Sequence, residues 1–467
     1  MGLWGLWTLP AQAQIKLNPE LIKSLVKEHA LGVKAVTLAK ERTVLPETAA
    51  LSRYDNQLNA GANYLFNEAD SISSPSEGRS SVLSVNGGVA RTLRQGTQLQ
   101  LGVDASHSDF NARGSQAPAS SPFGDKNGYT FAWVAGVSQP LLRNAWGETD
   151  WLRVERARKL KLTTDLQIEE TAEKLIELGL GLYYRALAAQ AEIAESQMVY
   201  KRLTELLRTT QRKVQFNLQM PGEIPTLKAE TLTWSRRLAQ GEETLEVLKV
   251  QLRNLLRLKQ DESIIFGELA LPKTLQMATS TQKARALSLQ ANRVAIAQDD
   301  LEIARSEAKA DLSVNLQLKS TGVEKGFADT TVEWLDFSRP TLVMGVKWQA
   351  PASTDRFDAE RYDKAVALKQ EELEKQRLDE QLRADLDVAQ RNVETSFRLA
   401  QETEAIVKLW EKGAKEQEQG YAQGRVSLVE VIRTLNALSQ AKLERLRYVS
   451  QYHLNQIALA QLSDQLY

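Results

Sequence analysis

The sequence of 467 residues contains no cysteine, only three histidines and no net charge at neutral pH. Without cysteine there are no disulfides, thiol nucleophiles, cysteine-ligated metals or lipid-modified N-terminal cysteine. Zero net charge argues against nucleic-acid binding, which requires a basic surface. The chain also lacks a run of about 20 apolar residues, the length that a membrane-spanning helix needs. If the protein enters a membrane, it does so with β-strands.

Catalytic constellations are missing as well. His29, His107 and His453 are scattered, and no Ser/His/Asp set, phosphate-binding glycine loop or cluster of metal ligands has a suitable spacing. We therefore expect no enzyme activity, no cofactor and no metal. A hydrophobic content of 42% and a charged content of 25% indicate a folded chain rather than a disordered one.

Residues 1–13 are expected to be a signal peptide. Met1 to Pro10 is mostly apolar, and Ala11-Gln12-Ala13 has the small-x-small pattern of a signal-peptidase site. The positive n-region is missing and the apolar core is short, which indicates a truncated or misassigned gene start. The alternative interpretation is an apolar N-terminal tail.

Four stretches alternate between apolar and polar residues, at 57–66, 129–139, 312–319 and 341–348. This pattern predicts strands with unlike faces. Each stretch is close to the length of about 10 residues that crosses an outer membrane at a tilt. Aromatic residues near several strand ends fit an interfacial belt. A soluble β-sandwich with one packed face gives the same alternation, and the pattern does not decide between them.

A further alternating pair, within 81–106 around the sequence RTLRQG, predicts a hairpin. Four strands per chain leave this extra hairpin without a place. It would either enlarge an extracellular loop or pack near the rim of a barrel.

Two stretches of about 65 residues, 150–215 and 355–419, contain little Gly or Pro and predict very long helices. Each would span roughly 100 Å at about 1.5 Å per residue. Patterns of this length indicate a coiled coil, and the mixed charges of the outer faces are typical of solvated helices.

The second half of the chain repeats the first. The sequence around Pro140 (AGVSQPLL) corresponds to that around Pro351 (GVKWQAPA), and each marks a strand-to-helix junction. Each long helix then reaches a turn, at Gln219-Met220-Pro221-Gly222 or at Gly424, and a second helix follows. Glycine allows the left-handed backbone that such a reversal needs. The predicted segments are 14–54 (helical), 55–139 (strands), 140–310 (helical hairpin), 311–350 (strands) and 351–467 (helical hairpin).

Neither four strands nor two such hairpins bury their apolar residues alone, so we expect oligomerisation. Three chains would supply twelve strands for a barrel and a cylinder of helices beneath it. The expected fold class is a mixed α/β membrane protein: a trimeric β-barrel of about four strands per chain, continued by a long antiparallel coiled-coil α-helical barrel.

Two blocks carry a resemblance to the TolC family of outer membrane efflux proteins: SQPLLRNAWG (138–147) and YAQGRVSLVEVI (421–432) with its continuation to residue 466. The resemblance covers essentially the whole chain after the leader. It implies a homotrimer in outer membrane lipid with its helical barrel in the periplasm. The trimer would export small molecules or proteins, as in type I secretion, with a periplasmic adaptor and an inner-membrane transporter of the ABC, RND or MFS type.

The resemblance also assigns residues. Tyr421, Glu430 and Arg433 fall at the pore entrance, where the family carries a turn tyrosine and acidic residues. The exposed turns are expected to contact the adaptor through Gln219, Met220, Gln423, Gly424, Arg425 and Ser427.

This chain departs from the family at four positions. Pro225 stands where Asp is frequent, Val426 where an arginine latch occurs, Arg433 at a second acidic position and Asp464 at a usual glycine. The rival interpretation of the whole chain is a structural or tethering coiled-coil protein of the periplasm, which explains the helices but not the strands.

Overall fold

The structure, a computed structural model, describes residues 14–67, 79–111, 127–216, 222–260, 262–275, 284–324 and 340–466. The predicted signal peptide at 1–13 lies outside these residues. The chain divides into two compact units. The helical unit comprises residues 1–40, 164–290 and 374–467, and the sheet unit comprises residues 41–163 and 291–373.

Most of the described chain is helical. The helices are α1 (Pro19–His29), α2 (Leu31–Leu51), α3 (Glu148–Gln215), α4 (Glu223–Leu256), α5 (Arg285–Glu307), α6 (Asp355–Ala422) and α7 (Leu428–Leu462). Helices α3 and α6 have 68 residues each, which confirms the two long helices predicted from the sequence. Among the described helices, none combines the length and the apolar character needed to cross a lipid bilayer.

The strands form two sheets. They are β1 (Gln14–Lys16), β2 (Gln57–Asn67), β3 (Arg79–Thr92), β4 (Gln98–Asn111), β5 (Asn127–Pro140), β6 (Ser263–Ile265), β7 (Asp311–Glu324) and β8 (Pro340–Gln349). Strands β1 and β6 form a short parallel pair in the helical unit. The other six form one antiparallel sheet in the order β2-β3-β4-β5-β7-β8. The four alternating stretches are thus confirmed as β2, β5, β7 and β8.

The expected count of about four strands per chain is wrong, because the sheet has six. The extra hairpin, predicted at 81–106, forms β3 and β4 and lies inside the sheet between β2 and β5. Both of its strands have 14 residues, long enough to pair along their length with each other and with their outer neighbours. The hairpin strands alternate in register with β2 and β5, so their apolar residues lie on the same face as the apolar residues of those strands.

The register gives the large sheet two unlike faces. One row of directly paired residues is apolar on every strand: Leu58, Val89, Leu101, Ala135, Leu318 and Leu342. The row one residue further along carries glutamines on three of the six strands: Gln57, Ala90, Gln100, Gly136, Gln317 and Val343. Successive side chains point to opposite faces, so the sheet has one apolar face and one polar face.

The main core of the helical unit packs the N-terminal helix against the long helices. Ile22 of α1, Ile176 of α3, Leu252 of α4 and Ile457 of α7 belong to one buried cluster. Helix α1 begins after Asn18, whose Oδ1 accepts a hydrogen bond from the amide of Leu21 at 2.7 Å, with Pro19 at the first helical position. Local capping and tertiary burial therefore agree on where this helix starts and what it packs against.

A buried charge cluster ties the end of α7 to α3 and α5. The Arg285 guanidinium lies 2.6 Å from Glu173 and 3.0 Å from Glu169. Glu173 is fully buried and also accepts a hydrogen bond from the Leu466 amide at 3.0 Å. Burial raises the pKa of Glu173, and the Leu466 amide and Arg285 oppose that rise. This cluster fixes the last residues of the chain.

Asp464, at the usual glycine position, has a left-handed backbone with φ of 54°. The amide of Gln465 donates to Ala460 at 2.9 Å and that of Asp464 to Gln461 at 3.1 Å, which closes α7 with a Schellman motif. The Asp464 side chain accepts from the amide of Arg285, the first residue of α5. Asp464 therefore ends α7 through its backbone and caps α5 through its side chain, which a glycine would lack.

We expect Arg285→Leu to lower the free energy of unfolding by about 3 kcal/mol at pH 8, because it leaves the buried Glu173 carboxylate without its counter-charge. A raised pKa in the folded state means that Glu173 contributes most below about pH 4.5 and that this contribution is lost as the pH rises through the folded pKa. Arg285→Leu raises that pKa further. The loss relative to the wild type should therefore be smaller at pH 5 than at pH 8, as measured by denaturant unfolding in detergent.

The control is Arg377→Leu, which removes an exposed guanidinium paired with Glu374 on the same helix. Such a pair is worth little, so we expect a change below about 0.5 kcal/mol at both pH values. An equal loss at pH 5 and pH 8 in Arg285→Leu would contradict the assigned role of Glu173.

Candidate functional site

The turn between α6 and α7 occupies residues 423–427 and contains four of the six residues assigned to adaptor contact. Gly424 has a left-handed φ of 70°. The Arg425 amide donates to the Gly420 carbonyl at 2.8 Å, and the Gly424 amide donates to the Tyr421 carbonyl at 3.1 Å. These two bonds form a Schellman motif with Gly424 at its left-handed position. The predicted reason for the glycine is confirmed.

The next helix begins immediately after this turn. Ser427 is the N-cap of α7, and its hydroxyl accepts a hydrogen bond from the Glu430 amide at 3.3 Å. Gln423, Gly424, Arg425 and Ser427 are all exposed to solvent. The other predicted contacts, Gln219 and Met220, lie outside the described residues.

A second glycine, Gly420, permits the turn to close tightly. A Cβ atom at this position would lie 2.6 Å from Cγ2 of Val426. Val426 stands where the resembled family carries an arginine latch, and it packs against a cluster of buried residues that includes Tyr421 and Leu428. In this chain the position therefore serves apolar packing within the turn.

Tyr421 is buried, not exposed at the tip. Its hydroxyl lies 3.1 Å from the hydroxyl of the buried Thr210 on α3, and the ammonium of Lys213 lies 4.2 Å from the centre of its ring. One turn earlier on α6, Glu418 pairs with Arg202 of α3 at 2.7 Å. Tyr421 thus joins the ends of two long helices within one chain.

Glu430 and Arg433 form an exposed ion pair on the first turns of α7. Arg433 Nη1 lies 3.7 Å from Glu430 Oε2, and their side chains are 77% and 46% exposed. The two opposite charges largely offset each other. The pair therefore carries little net charge at the position that the resemblance assigns to the pore entrance.

The two junction prolines lie close to strand ends. Pro140 is the last residue of β5, and Pro351 follows the end of β8 by two residues. After Pro140 the backbone is left-handed at Asn144, Trp146 and Gly147 before α3 begins. Left-handed Trp and Asn are strained conformations that persist only where the surroundings fix them.

Those surroundings are a polar network that the sequence did not reveal. The Asp150 carboxylate is 3% exposed and accepts from Asn144 at 2.6 Å, and it pairs with Arg53 at 2.8 Å and Arg153 at 3.1 Å. The Asp150 amide in turn donates to the Asn144 side chain at 3.1 Å. An acidic residue in the first turn of α3 was the available signal, but Arg53 lies almost 100 residues away in the chain.

The β3–β4 turn, residues 93–97, packs against this junction. A Cβ atom at Gly96 would lie 2.7 Å from the amide nitrogen of Gly147, so the two glycines allow close contact of two backbones. Gln139 also receives a hydrogen bond from Thr97 at 2.5 Å. The extra hairpin therefore supports the junction between strand and helix.

The polar face of the sheet borders a chain of open cavities. The largest of these, of about 520 Å³, is lined by residues that include Gln57, Gln100 and Gln317. A smaller cavity of about 270 Å³ shares Arg53 with it and shares Arg153 with a third of about 410 Å³ between α2, α3, α5 and α6. These polar surfaces therefore lie on one continuous side of the sheet unit.

The opposite, apolar face of the sheet is exposed. Leu58 is 82% exposed, Leu101 59% and Val346 70%. A soluble sandwich would bury such a face, and contiguous apolar surface of this extent marks a site of contact with a membrane or another protein.

No model of a protein family matches the chain, and no curated protein sequence matches it. Solved structures do. The outer membrane protein VceC from Vibrio cholerae is similar with a TM-score of 0.66 and 10% identity over 96% of each chain. The Campylobacter jejuni CmeC outer membrane channel gives 0.65 and 10%, covering 99% of this chain and 91% of its own.

The Neisseria gonorrhoeae MtrE outer membrane channel, solved in its open state, gives a TM-score of 0.66 and 12% identity over 96% of this chain and 88% of its own. The chain has the fold of these outer membrane channels. The mixed helix and strand architecture expected from the sequence is therefore confirmed at the level of the fold.

We expect Gly424→Ala to destabilise the chain by about 1 kcal/mol, because a Cβ disfavours the left-handed backbone of the turn. The matched control is Gly413→Ala in the interior of α6, where a Cβ meets no atom within 4 Å. That change should stabilise by up to about 1 kcal/mol. Thermal unfolding of both variants in detergent checks the opposite signs, and two shifts of the same sign would contradict the role given to Gly424.

Proposed function

We propose that this chain is a TolC-type subunit of an outer membrane channel that exports small molecules or proteins from the periplasm. The observation that carries the proposal is the sheet with one exposed apolar face and one polar face. An apolar face toward lipid and a polar face toward a water-filled passage is the arrangement that membrane-spanning strands require. The likeness to outer membrane channels supports the same conclusion.

The height of the apolar face fits a bilayer. On β5 and its continuation it runs from Tyr129 to Leu141, which pairs with Leu312 of β7. That length of strand rises about 40 Å at about 3.4 Å per residue, and a tilt of about 45° reduces it to about 28 Å. The apolar band of outer-membrane proteins is about 25 Å tall. Tyr64, Tyr129 and Trp348 lie near its limits, where aromatic side chains favour the interface.

The sheet needs further strands to close. Among the described strands, β2 and β8 each pair on one side only, and edges do not remain open in a hydrocarbon environment. We infer that copies of the chain pair β8 of one with β2 of the next, as a homotrimer. Three copies of a six-stranded sheet give eighteen strands instead of the twelve expected from four strands per chain, and the wider ring encloses a wider passage.

The helical part would lie in the periplasm and meet its partners through the exposed turns. In this proposal the turn at 423–427, together with Gln219 and Met220, contacts a periplasmic adaptor coupled to an inner-membrane transporter. Tyr421 acts from inside, by fixing the helix ends that carry the turn. Glu430 and Arg433 contribute a nearly neutral pair at the entrance. The six-stranded, two-faced sheet disfavours the rival function of a periplasmic tether, which has no use for an exposed apolar face.

A charge on the apolar face should prevent insertion, whereas the same charge on the polar face should not. We expect Leu101→Lys, at the centre of the apolar face, to cost about 2–4 kcal/mol in the bilayer and to abolish accumulation in the outer membrane. Gln100→Lys, its neighbour on the same strand, should insert and conduct ions in planar bilayers. Membrane fractionation and conductance measure both, and normal insertion of Leu101→Lys would refute the lipid-facing assignment.

Edge pairing between copies should be visible by cysteine cross-linking, because the chain has no native cysteine. Variants that combine Asn59→Cys or Asn63→Cys in β2 with Val343→Cys or Gly345→Cys in β8, all on the polar face, should give species of up to three chains on oxidation in membranes. The control pair Ser106→Cys and Thr130→Cys is directly paired within one chain and should give monomers only. Monomers from every edge combination would exclude the proposed closure.

A further inference from the structure

A groove opens between α5 and α6, on the side of the sheet unit away from the polar cavities. On α5, Asp300 and Glu307 line the polar side, whereas Leu301 and Arg305 line the groove about a third of a turn away, as does Ala308 just after the helix. On α6 the same holds for Glu360 and Lys364 against Arg361 and Tyr362. On both helices, the residues that line the groove lie on a different side from those that line the polar cavities. The groove therefore lies on the apolar side of the sheet unit.

The groove also lies directly at the base of the apolar face. Lys309 precedes β7 by two residues. Leu312, the first apolar residue of β7, is directly paired with Trp348 of β8. Arg361 lies in the second turn of α6, the helix that follows β8. Lys309 is therefore three residues from the level at which the apolar band ends, and Arg305 and Arg361 line the same groove.

Three cations surround this groove of about 700 Å³. Arg305, Lys309 and Arg361 face a single carboxylate in its lining, Asp358. Arg361 pairs with Asp358 at 2.9 Å and Arg305 with Glu302 at 2.6 Å, and both guanidinium side chains remain about half exposed. Among the described residues no ion pair is formed by the exposed Lys309. The groove is thus open to solvent and net positive.

Apolar and aromatic groups complete the surface. Leu301 and Ala308 contribute apolar lining beside the cations, and Tyr362 is 72% exposed. An amphipathic ring at a membrane boundary favours the headgroup level. Phosphate is the anion that clustered Arg and Lys recognise through charge-assisted hydrogen bonds.

We propose that this groove binds the phosphate-bearing headgroup of a phospholipid in the periplasmic leaflet of the membrane. The inference rests on the proposed membrane function, because it places the groove at the leaflet boundary. Arg305, Lys309 and Arg361 hold the phosphate, Tyr362 lies at the interface, and the apolar lining continues toward the acyl chains. The site therefore adds a lipid contact below the strands and fixes the depth of the protein in the bilayer.

The test uses the full chain, purified from membranes and delipidated in detergent, with the triple variant Arg305→Gln, Lys309→Gln and Arg361→Gln. Native mass spectrometry follows titration with phosphatidylglycerol, phosphatidylcholine or inorganic phosphate. We expect the triple variant to bind phosphatidylglycerol about tenfold more weakly at low ionic strength, with a smaller difference at high salt. A matched control removes three exposed arginines elsewhere on α6: Arg377→Gln, Arg383→Gln and Arg391→Gln. It should bind as the wild type does.

Equal binding by the triple variant and the wild type would overturn the proposal. So would competition by inorganic phosphate at the concentration of the lipid, since that would indicate an anion site without lipid recognition. Flotation of the wild type with phosphatidylcholine vesicles separates the two proposals. Failure to insert counts against the membrane function and the lipid site together, whereas insertion with unchanged lipid binding in the triple variant counts against the lipid site alone.

Discussion

The rest of this structure depends on a sheet that leaves its apolar face uncovered and its two edge strands each paired on one side only. Six strands with an apolar row running through every one of them leave a large surface for something other than water, and the two edge strands leave backbone groups to be paired. In the proposed channel, lipid would meet the first requirement and neighbouring copies the second. The polar face would then border a water-filled passage.

Much of this fold follows from patterns among residues that are close in sequence, so it could be predicted. Alternation found the strands, and the absence of breakers found the two helices of 68 residues, because both patterns depend only on near neighbours in sequence. Gly424 was predicted for its left-handed backbone, which is also a local property. The place of the β3–β4 hairpin was not predictable in this way, since a strand with two alternating faces does not specify which strands it joins.

The parts that escaped prediction are polar contacts between residues that are far apart in the sequence. Asp150 is read from the sequence as an ordinary first-turn acid, and only the structure brings Arg53 to it. Asp464 looked like the loss of a useful glycine, yet its side chain caps another helix. Tyr421 was assigned by resemblance, and only the structure shows that it is buried against Thr210. In each case the local pattern gave the position, and tertiary contact gave the role.

The contact between Gly96 and Gly147 limits which residues each of the two positions can accept. The hairpin turn holds the left-handed backbone at the start of α3, and that backbone leaves room for the turn only because both positions lack a side chain. A relative that lost the hairpin would be released from the requirement at both glycines, and one that gained it would need both. The two segments, 51 residues apart, are therefore structurally coupled, and a graft of this hairpin into a similar fold would have to bring the junction with it.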